Sequence, residues 1–237
     1  MLINGIDIST FGAFLSDKQI QSSAIIINSN WNIKALDYFV ASIQQQFKAI
    51  KLTINFIATD EETVLNNISN FYVQLANRCT IQFDGMDFIY SCIYDNTSNK
   101  TSDSTKYTNE NYEVVINLLS GYAYKPPVTT TLNNVSSQTI NVNGNVPTPT
   151  IVTVTVPIDT ISITISGLSL DPIVINNLKA NTPVVIDGEQ CVATQNGVNN
   201  FSNVDMWEFP TLQPGANTIS ASSANCVIQI QYKPRWI

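Results

Sequence analysis

The segment FKAIKLTINFIA carries Ile50, Leu52, Ile54 and Phe56 at alternate positions, with Lys51, Thr53 and Asn55 between them. That two-residue period belongs to a strand buried on one face. TDEETVLNNISNFYVQLAN follows, with Val64, Leu65, Ile68, Phe71, Tyr72 and Leu75 at helical spacing,. Thr59 and Glu62 fit a capping box, and acids crowd the first turn where the helix dipole favours them. The pattern predicts the one strong helix of the chain. CTIQFDGMDFIYSCIYD then predicts a hairpin, with Ile81 and Phe83 before an Asp84-Gly85 turn and Phe88, Tyr90 and Cys92 after it,. From Asn96 to Asn111 the chain turns to serine, threonine, asparagine and lysine, which predicts a mobile loop, and YEVVINLLSGYAY resumes a strand pattern.

Residues 125–150 gather Pro126, Pro127, Pro147 and Pro149 among threonines, asparagines and serines, a composition that disfavours helix and marks a boundary. The junction is placed near Pro126, which divides the chain into domains 1–125 and 126–237. A length of 237 residues suffices for two cores,. After Thr150 come IVTVTV, ISITI, PIVI, PVVI and CVIQIQY, separated by the turn signals Asp187-Gly188, Asn196-Gly197 and Pro214-Gly215,. Short strands with no helix between them predict an antiparallel β-sandwich. The expected fold is therefore mainly β, an N-terminal β-rich domain with one α-helix followed by that sandwich. In the closing QYKPRWI, Tyr232 continues the alternation of Ile228 and Ile230, and Pro234 stops further ladder bonding,. Arg235 is expected to anchor to a carboxylate or carbonyl, and Trp236 to cover an end of the core or an interdomain seam.

Charged residues make up 12% of the chain, about half the roughly 25% of an ordinary soluble domain. The formal net charge is −7 and the sequence pI near 4.4. No continuous basic face for a run of phosphates follows from such a balance, so nucleic acid is not an expected specific partner. Up to Lys125 there are 8 basic and 12 acidic residues, and after it 3 and 6; neither half is a charged tail. No stretch approaches the ~20 apolar residues of a spanning helix, and MLINGIDIST lacks the basic and apolar regions of a secretory signal, so no membrane partner is expected. The chain is expected to be synthesised in the cytoplasm of its host, where Cys79, Cys92, Cys191 and Cys226 read as buried free thiols; none stands in a C-x-x-C pair,.

There is no histidine. That removes Ser-His-Asp and Cys-His nucleophiles, histidine bases and most zinc sites. Two carboxylate pairs, Asp84 with Asp87 and Asp187 with Glu189, have the composition of a glycosidase dyad, but each lies beside a glycine and reads as turn chemistry. The triplet Asp60, Glu61 and Glu62 reads as helix capping rather than a metal site. No catalytic residue, cofactor site or metal site is therefore expected. Trp207, Tyr232 and Trp236 are the aromatics of the sandwich half suited to stacking on sugars,, and Trp207 is the candidate saccharide contact.

Two distant stretches belong together. INGIDISTFGAFLSDKQI near the start contains Asn4, Gly5, Ile6 and Asp7; near the end stand Phe209, Pro210, Leu212, Pro214, Gly215 and Asn217, then a strand up to Tyr232 and the Pro234, Arg235, Trp236 ending. This combination resembles the distal tail protein (Dit) family of siphophages infecting Gram-positive bacteria. The resemblance covers both ends of the chain and agrees with the order strand, helix, hairpin in the middle; residues 28–124 match in element order alone.

The resemblance implies a structural, non-enzymatic protein at the virion tail tip. Its N-terminal domains would join side by side into a hexameric ring between the tail tube protein and the tail-tip protein. Its C-terminal domain would be a galectin-like sandwich able to hold a receptor-binding protein. A weakly acidic chain is compatible with a lumen that passes DNA. The chain is too short for the inserted carbohydrate-binding module of some family members. The alternative reading is a carbohydrate-binding protein that meets host cell-wall saccharide through Trp207 and the C-terminal sandwich. The 96–111 loop is the expected contact that orders on assembly.

Overall fold

The computed structural model describes residues 1–23, 25–34, 36–95, 106–108 and 111–237. The chain divides into two compact units, Met1–Tyr124 with Ile237, and Lys125–Trp236. It is mainly β, and Glu61–Val73 is the one α-helix among the described residues.

In the first unit the strands are β1 (Leu2–Ile3), β2 (Ile6–Asp7), β3 (Ala13–Ile20), β4 (Ile25–Asn32), β5 (Asp37–Gln45) and β6 (Lys48–Ile57). Helix α1 (Glu61–Val73) follows, then β7 (Cys79–Gln82), β8 (Ile89–Tyr94), β9 (Lys106–Thr108) and β10 (Asn111–Tyr124). All but β4 and β5 belong to one antiparallel sheet in the order β2-β1-β7-β8-β10-β6-β3, with β9 beside β10. The alternation in β6 has the predicted consequence: Ile50, Leu52, Ile54 and Phe56 are all buried, and β10 delivers Tyr112, Val114, Ile116 and Leu118 to the same core. Phe71 of α1 fixes the helix to this core, meeting Phe56 and Phe11 edge-to-face with ring centroids 5.5 and 5.8 Å apart. Each such fully buried apolar side chain contributes about 1.5–3 kcal/mol.

Three local expectations change. The helix is capped by Asp60 rather than Thr59: the Thr63 backbone N–H donates to Asp60 Oδ1 at 2.8 Å, while the Thr59 hydroxyl bonds the same carboxylate. A carboxylate is the stronger acceptor for the exposed amides of a first turn. The hairpin β7–β8 has the expected strands, with Ile81 opposite Tyr90, but Phe83–Phe88 connects them rather than a two-residue Asp-Gly turn. Of the 96–111 stretch read as a loop, 96–105 and 109–110 lie outside the described residues, whereas Lys106–Thr108 pairs with Asn111–Glu113 as strands.

The second unit holds β11 (Val128–Asn133), β12 (Ser137–Val142), β13 (Thr148–Thr155), β14 (Thr160–Ser166), β15 (Ile173–Leu178) and β16 (Val184–Asp187). After these come β17 (Val192–Gln195), β18 (Val198–Asn199), β19 (Val204–Asp205), β20 (Thr211–Leu212), β21 (Gly215–Ala221) and β22 (Val227–Tyr232). They form a sandwich of two antiparallel sheets, β11-β22-β13-β16-β17-β18 with β20 on β13, and β12-β21-β14-β15-β19. Val152, Val154, Ile228 and Ile230 from one sheet and Ile163, Ile165, Ile175 and Ile219 from the other interdigitate in a single core,. The closing strand β22 lies between β11 and β13 rather than at an edge, so both its ladders are occupied.

Candidate assembly surface

The β4–β5 hairpin forms a two-stranded sheet of its own, and among the described residues it pairs with no other strand. Its register sets Ile25 opposite Gln45, Ile27 opposite Ile43, Ser29 opposite Val40 and Trp31 opposite Tyr38, with a bulge between Asn28 and Ser29. Directly paired residues share a face and alternate ones share it along a strand. One face therefore gathers Ile25, Ile27, Trp31, Tyr38, Val40 and Ile43, while the other carries Asn28, Asn30, Asn32, Asp37, Ser42 and Gln44, with Ile26 and Phe39. Every residue of the apolar face is exposed, Ile27 at 56% and Ile43 at 66%.

An isolated two-stranded hairpin is marginal in water; across this one Asn28 Nδ2 donates to Ser42 Oγ at 2.8 Å. Trp31 and Tyr38 meet edge-to-face at 5.3 Å, worth about 0.5–1.5 kcal/mol. Against it, Leu36 at the tip sits in the left-handed region at φ 50, which costs a side chain with a Cβ about 1–2 kcal/mol. Fixing each backbone residue costs a further ~1–2 kcal/mol. An exposed apolar face of this extent has the character of an interaction surface,. Sequence reading had no signal for it: the triplets Ile25-Ile26-Ile27 and Tyr38-Phe39-Val40 put apolar residues on both faces and hide the two-residue period.

The residues singled out by sequence fall into place individually. Trp207 is 88% exposed, so it is not part of the sandwich core. Asp84 holds the Met1 ammonium with both carboxylate oxygens, at 2.8 and 2.9 Å. Asp187 accepts from the Glu189 and Gln190 backbone N–H groups, at 2.8 and 3.0 Å, to close the β16–β17 turn. Glu189 is paired elsewhere, with Lys233 and Arg235. No cluster of three or more metal-binding side chains occurs among the described residues, and no helix there is long and apolar enough to cross a membrane. Cys79, Cys92 and Cys226 are buried and free, and burial pushes the Cys92 thiol up to about 12. Cys191 departs from expectation: it is exposed, in a turn at φ 56.

The motif residues at the two ends build turns. Asn4 and Gly5, at φ 51 and 80, make the two-residue connection of β1 and β2, the geometry for which Asn-Gly is suited. Asn4 also accepts from the Thr80 backbone N–H at 2.9 Å and donates to the Gln74 carbonyl at 3.1 Å. Asp7 accepts from the Ser9 N–H at 2.9 Å, and that bond holds its carboxyl below the usual range. Asn217 closes the Pro214-Gly215 turn, accepting from the Gln213 N–H at 2.9 Å and donating to the Gln213 and Gly215 carbonyls at 2.7 and 3.0 Å.

Residues 143–236 match the family model of the siphovirus-type tail component, C-terminal domain. The whole chain has the fold seen in the crystal structure of the Dit protein of phage SPP1, described as a paradigm of the hub adsorption apparatus in phages infecting Gram-positive hosts. The TM-score is 0.78 at 11% identity, over 100% of this chain and 98% of that one. Chains from the phage p2 baseplate in its activated conformation, with Ca and with Sr, are similar at TM-scores of 0.57 and 0.55. Their identities are 8% and 9%, over 96% and 95% of this chain and 92% of each of those chains. No curated protein matches. The matched domain and the fold of the whole chain are both those of siphophage tail components. Within that class, the fold of the whole chain is that of the distal tail protein (Dit), and residues 143–236 match its C-terminal domain model.

Proposed function

We propose that this chain is the distal tail hub of its phage, six copies closing a ring that joins the tail tube to the tail-tip protein. The first unit forms the ring, and the sandwich carries receptor-binding components of the baseplate. The role is architectural and involves no catalysis, cofactor or metal. The observation that carries the reading is the uncovered apolar face of β4–β5 in a chain with the fold of a hub protein. A head-to-tail contact made by such a face on each copy closes into a ring when the rotation fits. Mass photometry across a concentration series tests it. A species six times the 26.1 kDa protomer, ring-shaped in negative stain, is expected; a chain that stays monomeric even with the tail tube protein present would overturn it.

A second reading attaches to the sandwich. Trp207 at 88% exposure offers an indole face suited to stacking on a pyranose ring of host cell-wall saccharide. Retention of the protein on immobilised wall polysaccharide, lost in Trp207→Ala, supports saccharide recognition. Equal retention of parent and variant removes it and leaves the hub reading untouched.

A further inference from the structure

The chain carries a net charge of −7, yet from Ile25 to Phe47 its only charged residues are Lys34 and Asp37, which cancel. Copies of an acidic chain repel one another over most of their surface. A hairpin without net charge can dock on a neighbouring copy without adding to that repulsion, and it presents Ile25, Ile27, Trp31, Tyr38, Val40 and Ile43 on its apolar face. Its base is fixed, because β3 and β6, which flank it in the chain, pair with each other and the Gln21 N–H donates to the Ala49 carbonyl at 2.9 Å. Its body is not: it pairs with no other strand among the described residues, carries a bulge at Asn28/Ser29, and turns at a leucine in the left-handed region.

We propose that residues 25–45 fold as this hairpin only when the apolar face docks on a second copy of the chain, so that ordering of the hairpin and ring closure are one coupled step. This rests on the ring assembly proposed above. A free protomer then exposes an uncommitted, tethered segment instead of a preformed sticky sheet, and its assembly affinity is lowered by the fraction of time the segment is hairpin-like. Leu36 sets that fraction in part, because an L-residue with a branched side chain disfavours the backbone the tip requires.

Hydrogen exchange on the full chain, measured separately on protomer and on assembled rings, tests the coupling. In the protomer, amides of 25–45 are expected to show less than about tenfold protection while those of β6 and β10 are strongly protected; in the ring the hairpin amides become protected. Leu36→Asn, which accepts the left-handed conformation, is expected to move the assembly midpoint to about three- to fivefold lower concentration. Hairpin amides already protected in the protomer would overturn the coupling while leaving ring assembly standing. Hairpin amides unprotected in both states would show that rings close through another surface, which also overturns it. Absence of rings under every condition, tail tube protein included, would remove the hub reading and this inference together.

Discussion

Arg235 Nη2 donates to Glu189 Oε1 at 2.6 Å, while Lys233 Nζ donates to Glu189 Oε2 at 3.1 Å. One carboxylate beside the β16–β17 turn thus holds two cations that follow the closing strand β22. The basic and aromatic ending QYKPRWI closes a fold here: Tyr232 is buried, Arg235 and Lys233 are tied down, and Lys125 lies 5.6 Å over the Trp236 ring. Burial pushes the Glu189 carboxyl up, but the hydrogen bonds and charges of Lys233 and Arg235 outweigh it and leave it below its ordinary value.

A carboxyl lowered in the folded state contributes stability that is fully present above its unfolded value and is lost as pH falls through its folded value. With Arg235 15% exposed and Glu189 29%, the cluster lies between surface and buried pairs. Glu189→Gln is therefore expected to cost about 1–2 kcal/mol at neutral pH. Urea unfolding of parent and variant at neutral pH and again at about pH 3 checks this; the gap between them should narrow in acid.

Asn217→Ala removes three hydrogen bonds that a buried side chain makes to a largely exposed turn. The expected loss is about 1–2 kcal/mol, because water can replace part of what the Gln213 and Gly215 groups lose,. Thermal unfolding should show a lower Tm with the β content of the folded baseline unchanged.

Gly167 sits at φ 91, and a Cβ there would run into the Thr218 carbonyl oxygen of β21. Neither the backbone nor the neighbouring strand can yield cheaply. Gly167→Ala is expected to destabilise the chain by about 2–4 kcal/mol, readable as a drop in the urea midpoint.

Ile43→Asp places a charge on the apolar face of β5 without touching either core. Folding stability should stay within about 0.5 kcal/mol of the parent. Assembly should weaken by at least about tenfold, since an interface would have to bury an unpaired carboxylate. Sedimentation of parent and variant side by side separates the two effects.

The parts of this molecule legible in sequence are those where one face is buried and the other wet. Ile50 to Phe56 and Ile228 to Tyr232 announce themselves by alternation, and both strands are where it puts them. The end motifs were legible because Asn-Gly and Pro-Gly-x-Asn each impose a specific backbone, which Asn4 and Asn217 then bond. The candidate assembly surface was not. Alternation detects burial within one chain, and the apolar residues of β4–β5 are exposed; they gain a meaning once the register shows them sharing a face. The helix cap was misplaced by one residue because Thr59 and Asp60 are both capping types and sequence does not show which oxygen reaches the Thr63 N–H.

Electron cryomicroscopy of virions that carry this chain tests the hub role at its source, by showing what lies at the distal end of the tail tube. Six copies of this fold in one ring are expected there, with β4–β5 of each copy covered by its neighbour. A tail end built from another protein, or this fold present in the particle but never in a closed ring, would contradict it.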